Sequence, residues 1–150
     1  MRYWLMKSEP DAFSIDDLER VGREPWDGIR NYQARNYMRD EMEIGDLAFF
    51  YHSNAKPTGI AGIMRIASHA YPDPTALDPD AKYYDPKSKP ERPRWYLVDV
   101  EFVRKFKRII TLAELRLHQE LDGMPLLRKG NRLSIMPVAA EHWDLILGLE

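Results

Sequence analysis

Residues 71–93, YPDPTALDPDAKYYDPKSKPERP, carry six prolines and almost no aliphatic side chains. Proline lacks a backbone N–H and holds the residue before it out of the helical region. No helix or central strand can therefore run through a segment with a proline every few residues. The chain is divided near its middle by a long loop, and every regular element must be built on one side of it or the other. Long loops in compact domains are often functional, with disorder as the plainer alternative.

On the N-terminal side, RYWLM (2–6) reads as a short strand that Pro10 ends. Ser14 with Asp17 three places on is an N-cap pattern, and Gly22 stands where that helix would close. REPWDGIR is expected to be a loop, and Asn31 to cap a second helix over 32–41. DLAFFYHS (46–53) reads as a largely buried strand. GIAGIMRIASHA (59–70) reads as another, its glycines marking a bulge or a close backbone approach. Beyond the loop, 94–110 alternates as one long strand, Thr111 with Glu114 forms a capping box for LAELRLHQEL, and AAEHWDLILGL closes the chain as a helix. Helices scattered among strands point to an α+β fold, a small mixed barrel flanked by helices, in a single domain over 1–150 without internal repeat.

Several function classes drop out. With no cysteine, neither disulfides nor thiolate metal sites are available, and a reducing, cytoplasmic setting fits. MRYWLMKSEP is too short an apolar run for a signal peptide, and nothing approaches the ~20 apolar residues of a membrane span. His52, His69, His118 and His142 lack metal-ligand spacing, and neither a phosphate-cradling glycine loop nor a nucleophile elbow occurs, so no metal or cofactor is expected.

The net charge of −2 speaks against tight, sequence-blind duplex binding. Yet residues 87–108 hold eight basic residues against three acidic ones, whereas residues 1–50 hold seven against eleven. A local basic face follows, with Lys105, Lys107 and Arg108 as candidate phosphate-binding residues. The competing reading is a solvated strand edge that discourages aggregation.

The densest recognition chemistry is WDGIRNYQARNYM (26–38), which packs three aromatics, two arginines, two asparagines and a glutamine into thirteen positions. Trp26 and Tyr32 offer faces for a base to stack on, and Asn31, Gln33 and Asn36 offer groups that read a base edge. Arg30 and Arg35 suit phosphate. Tyr37 and Met38 read as core. At the end of FFYHSN, Tyr51, His52, Ser53 and Asn54 stand where a strand meets a loop, a common place for binding groups, although Ser and Asn are also ordinary turn residues. Lys7 and Glu9 in KSEP are either a surface ion pair or a pair in a pocket.

Taken together, WLMKSEP, WDGIRNYQARNYM, GDLAFFYHSN, GIAGI, WYLVDVEF and LSIMPV followed by a tryptophan, in that order, resemble the EVE domain family. This is the thymocyte nuclear protein-like group with its bacterial relatives, within the PUA-like superfamily, and the resemblance covers nearly the whole chain. It implies a PUA-like β-barrel with surrounding helices. It also implies a binding module for modified nucleobases in DNA or RNA, especially ring-modified cytosine such as 5-methylcytosine, with any effector protein acting in trans. By that resemblance Trp26 and the segment from Gly28 to Asn36 line a base pocket, with Lys7, Ser8 and Glu9 at one wall and Tyr51 to Asn54 at another.

Two other classes compete. The related ASCH domains include hydrolases of modified cytidine, and Lys7, Glu9 and the hydroxyl of Ser8 or Ser53 supply the groups such a reaction needs. A peptide groove is weaker, since peptides favour aliphatic pockets or an open strand edge.

Overall fold

The computed structural model describes residues 1–150. Its strands are β1 (Tyr3–Ser8), β2 (Arg23–Pro25), β3 (Leu47–His52), β4 (Gly59–Ile66), β5 (Tyr71–Pro72), β6 (Tyr96–Leu97), β7 (Asp99–Thr111) and β8 (Ile135–Val138). Its helices are α1 (Ile15–Val21), α2 (Tyr32–Asn36), α3 (Leu112–Leu115) and α4 (Ala140–Leu147). Six strands form one curled, half-barrel sheet in the order β2-β7-β4-β3-β1-β8, and β5 pairs with β6 apart from it. This is the α+β, PUA-like architecture that the sequence implied.

Both faces of the sheet are buried. Trp4, Met6, Ala48 and Phe50 point into one core, closed by Ile15, Leu18, Ala34 and Met38, while Leu5, Phe49 and Tyr51 point into the other, closed by Leu115, Trp143 and Ile146. A strand covered on both sides has no polar face, so AFFY is continuously apolar rather than alternating. Phe49 stacks on Trp143 at 3.9 Å between centroids. The curl comes with register shifts in the β3–β4 and β4–β7 ladders. Gly62 sits at one of them, where a Cβ would lie 2.5 Å from the Arg104 carbonyl oxygen, the close approach that its glycine foretold.

β1 and β3 run parallel, from Tyr3 opposite Leu47 to Ser8 opposite His52. Their C-terminal ends therefore arrive together at one edge, tied by Ser53 N–H donating to the Ser8 carbonyl at 3.0 Å. The loops that follow, together with the segment leading into α2, gather there.

The capping signals hold. Ser14 Oγ accepts from Asp17 N–H at 3.1 Å, and Ser14 N–H donates to the Asp17 carboxylate at 2.9 Å. Asn31 Oδ1 accepts from Ala34 N–H at 3.0 Å. Elsewhere the structure corrects the sequence. Arg23–Pro25 is a strand against β7, not loop, and three residues are too few to show a period. The second helix is regular only to Asn36 and then widens into a π turn over Tyr37–Glu41. The expected long strand at 94–110 breaks at Val98, whose carbonyl accepts from Trp26 N–H at 2.9 Å. The Thr111 cap starts a single turn. After a break that leaves Leu117 82% exposed, a short 3-10 turn over Gln119–Leu121 returns Leu121 to the core beside Leu115. β8 was hidden by Pro137, which is tolerated because β8 is the outermost strand. The proline-rich segment opens with β5 and a 3-10 turn over Pro74–Ala76 and continues as turns, and no helix is long and apolar enough to cross a membrane.

Candidate functional site

A cleft of about 560 Å³ opens at the shared end of β1 and β3. One wall is the strand end Lys7-Ser8-Glu9, with Phe13 and Ser53. The opposite wall is Glu24 to Arg30, and Lys82 and Tyr83 from the proline-rich loop and Arg132 and Ser134 from the approach to β8 complete the rim. Trp26 forms its apolar part, 7% exposed and set edge-on against Phe50 at 5.5 Å.

The wall at 27–30 is held by one buried carboxylate. Asp73, 1% exposed, accepts from Gly28 N–H at 2.9 Å, from Arg30 Nη1 at 3.0 Å, and from the Thr75 N–H and hydroxyl at 2.8 and 2.7 Å. Burial works to raise its pKa, but the bonds from Thr75, Gly28 and Arg30 outweigh burial and hold it below the usual carboxylate value. Arg30 also donates to the Tyr83 carbonyl at 2.9 Å and to Thr75 Oγ1 at 3.1 Å. Its guanidinium is thus a strut that fastens the Tyr83 loop to the wall, and the phosphate role read from sequence finds its donors engaged. Gly28 has φ +78°, and an added Cβ would stand 2.9 Å from the Tyr83 ring. Glycine relieves both the backbone strain at this φ and the crowding of the Tyr83 ring.

Charge in the cleft is mixed. Burial lowers the pKa of Lys7, whose ammonium lies 5.7 Å from the Tyr51 ring centroid. Glu24 is raised by burial and then by Asp27, while Asp27 is raised by burial and then by the charge of Asp73. Since Asp27 binds its proton more tightly in the folded state than in the unfolded one, it costs stability as pH rises from about 3.8 through its raised value, and the cost persists at neutral pH. Asp27→Asn is therefore expected to melt about 2 °C higher than the parent at pH 7, with the gap closing toward pH 3.5. A lower melting temperature at pH 7 would contradict it.

Of the residues singled out from the sequence, the cleft brings together Lys7, Ser8, Glu9, Trp26, Gly28, Arg30 and Ser53. Tyr51 and Asn54 line a shallow hollow next to Lys7, and Asn54 Nδ2 donates to Glu9 Oε1 at 2.6 Å. The others lie elsewhere. Asn31 spends its side chain on the α2 cap, and Asn36 Oδ1 accepts from Arg35. Gln33 lines a separate hollow with Tyr37, while Tyr32 and Arg35 line a groove shared with residues 87–94. His52 is buried, its Nε2 accepting from Ile15 N–H at 3.1 Å, with burial lowering its pKa. On β7, Lys105 pairs with Asp16 at 2.6 Å and Arg108 with Glu114 at 2.6 Å, while the Lys107 N–H donates to Glu150.

Sequence reasoning passed over Phe13, Glu24, Asp27, Asp73, Lys82, Tyr83, Arg132 and Ser134. Asp27 stood inside WDGIR and Ser134 inside LSIMPV, both already marked as motifs, and Asp73 and Tyr83 stood in the loop already flagged by its length.

Residues 2–149 match the EVE domain family. Human thymocyte nuclear protein 1 is 47% identical over 166 residues, which cover 99% of this chain and 73% of the human one. A protein of Pseudomonas syringae is 55% identical, with a TM-score of 0.95 and 98% of each chain covered. The structure of human THYN1 in complex with 5-methylcytosine-containing DNA is 46% identical, with a TM-score of 0.93, covering 99% of this chain and 97% of that one. An ASCH protein of Zymomonas mobilis, 9% identical with a TM-score of 0.53, shares the fold alone.

Proposed function

Because this chain belongs to the EVE domain family, we propose that it is a binding module, one domain over residues 1–150, which takes a modified base, ring-modified cytosine first, out of a nucleic acid strand and holds it in the cleft. What carries the reading is the near full-length likeness to human THYN1, a protein solved with 5-methylcytosine-containing DNA, joined to a cleft that has the groups a base needs. Unstacking costs a few kcal/mol. The aromatic surfaces of Trp26, Phe13 and Tyr83 offset it on the faces of the ring. The carboxyls of Asp27 and Glu24 suit the exocyclic amine of cytosine, as acidic side chains do elsewhere, and Lys7 with the Ser53 and Ser134 hydroxyls suits its acceptor edge. A ring methyl buried among the aromatics adds about 0.8 kcal/mol, roughly a fourfold gain in affinity.

The test is a titration, by intrinsic tryptophan fluorescence, with short single-stranded and duplex oligonucleotides carrying plain, methylated or hydroxymethylated cytosine. A preference of about fourfold or more for one modified base is expected. Equal affinity for all would sink the reading. A modified-RNA ligand, an effector protein acting in trans and a cytoplasmic compartment belong to the same proposal, the last supported by the cysteine-free sequence.

One observation favours a second reading, hydrolysis of a modified cytidine. Lys7 sits in the cleft with Ser8, Glu9 and Ser53, and burial favours its neutral form, the one able to accept a proton, over that of an exposed lysine. Against it, Ser8 Oγ already donates to the Phe13 carbonyl at 2.6 Å, which leaves Ser53 or a water as the group to be activated. Product from a modified nucleoside, abolished in Lys7→Ala, would put catalysis first.

A further inference from the structure

We propose that the groove walled by Tyr32, Arg35, Lys87, Lys89, Arg92 and Arg94 grips the phosphodiester backbone of the same polynucleotide whose base enters the cleft. The proposal rests on the base-binding reading and adds where the strand runs.

The protein sorts its cations. Arg104, Lys105 and Arg108 on β7 each have a carboxylate partner, Glu150, Asp16 and Glu114, within 2.6 Å. No carboxylate lies within 4.0 Å of any cation of the groove, and Glu91 is its one acidic wall residue. The difference matters for phosphate. An unpaired cation gains the full benefit of counterion release, whereas a paired one must first give up its own carboxylate. By that measure the β7 face is largely neutralised and the groove is not.

The backbone that carries the cations of the groove is also held in place. Lys89 and Arg92 pair backbone to backbone, with Arg92 N–H donating to the Lys89 carbonyl at 2.9 Å. Asp85 accepts from Lys87 N–H at 3.0 Å and from Trp95 Nε1 at 2.7 Å, and Ser88 Oγ accepts from Arg94 N–H at 3.1 Å. Arg35 donates to the Arg94 carbonyl at 2.8 Å and to Asn36 Oδ1, so its guanidinium is fixed by neutral acceptors and keeps its whole charge. Burial, and after it the charge of Arg39, weakens its hold on the proton by more than the nearby charge of Asp40 strengthens it.

The groove, about 780 Å³, adjoins the cleft through one side chain. Trp95 has Tyr32 of the groove stacked 4.7 Å from its ring at 21°, and Arg30 of the cleft 5.6 Å away. Tyr32 is 51% exposed and offers an aromatic surface to a neighbouring nucleotide, the pairing of stacking surface with cations that tracks single strands elsewhere.

The experiment measures affinity for a single-stranded oligonucleotide with one 5-methylcytosine, and for its unmethylated twin, between 50 and 400 mM NaCl. It compares the parent chain with Lys87→Gln/Lys89→Gln/Arg92→Gln, three exposed positions whose loss leaves the core intact. The triple variant is expected to bind both oligonucleotides at least about tenfold more weakly at 50 mM, to flatten the salt slope by about 2, and to keep the parent's preference between them. A variant with unchanged affinity and slope overturns the groove while leaving the base reading intact. So does loss confined to Lys105→Gln/Arg108→Gln, which would return the backbone to β7. An acidic peptide held as tightly as the oligonucleotide, and lost in the same triple variant, would make the partner a protein and overturn the proposal. A parent that binds both oligonucleotides equally, with the triple variant losing both, sinks the base reading and supports the groove.

Discussion

Asp73→Ala is expected to cost about 3–5 kcal/mol of stability, the loss seen when one member of a buried ion pair is removed and its partner stays behind. The Asp73 side chain is fully buried and that of Arg30 is 19% exposed, so neither charge is screened well by water. Without the carboxylate, Gly28 N–H and Thr75 N–H lose their acceptor and Arg30 keeps an unanswered charge. The damage is directed at the site. Arg30 fastens the Tyr83 loop, and the Tyr83 ring lies against Gly28. Chemical denaturation should show the full loss, with base binding failing even where the variant remains folded. Asp73→Asn keeps one acceptor and should lose less. The parent's acid behaviour follows from the same carboxylate. Its folded pKa is depressed, so its stabilisation is present above the ordinary value of 3.8 and fades as pH falls through the lower folded value. A Asp73→Ala chain within 1 kcal/mol of the parent, the scale of a single net hydrogen bond, would show that the hub holds nothing.

Trp26→Ala carries the second large effect. Truncating a buried tryptophan costs about 3–5 kcal/mol, and Trp26 also supplies an aromatic surface to the cleft while its edge meets Phe50. Stacking on an aromatic side chain is worth about 1–3 kcal/mol per base, so affinity for the methylated oligonucleotide should fall by about 5- to 150-fold. Fluorescence anisotropy of a labelled oligonucleotide reads this without the lost indole. Trp26→Phe keeps a ring and most of the packing, and should keep most of the affinity. A folded Trp26→Ala chain that binds and discriminates like the parent would remove Trp26 from the site.

Where the sequence could be read, the signal came from interactions between residues close in the chain. Ser14 and Asp17, Asn31 and Ala34, and Thr111 and Glu114 are three apart, and in each pair the first side chain accepts the N–H its spacing promised, although the box expected at Thr111 is only half made because the Glu114 carboxylate goes to Arg108. The apolar run at 46–53 announced a buried strand because two-sided burial leaves no polar position to alternate with. Where such local rules competed with packing, packing prevailed. The LAELRLHQEL pattern yields one α turn and then a short 3-10 turn that bury Leu115 and Leu121 separately and leave Leu117 outside, and Arg23–Pro25 becomes a strand because β7 offers it a free edge.

The cleft was legible as a set of motifs, and only in part as a set of residues. WDGIRNYQARNYM named the wall, and KSEP and the Ser at the end of β3 named the opposite side. Which side chains face inward was beyond it. Asn31 and Asn36 looked like edge readers and are spent on their own helix, while His52 looked like a strand-end binding group and accepts from the first turn of α1. Asp73, which holds the wall together, bonds to residues 43 and 45 places away, and no periodicity reports a partner at that distance. By itself, then, the sequence determined the α+β class, the capped helix starts, the buried strands and the segment that builds the site, because each follows from forces acting within a few residues. The tertiary structure alone decided which cations are free and which are paired, which polar groups are available and which are consumed, and that the parallel ends of β1 and β3 meet the loop around Tyr83. Those outcomes depend on which distant atoms compete for the same hydrogen bond or charge, and that competition exists only once the chain is folded.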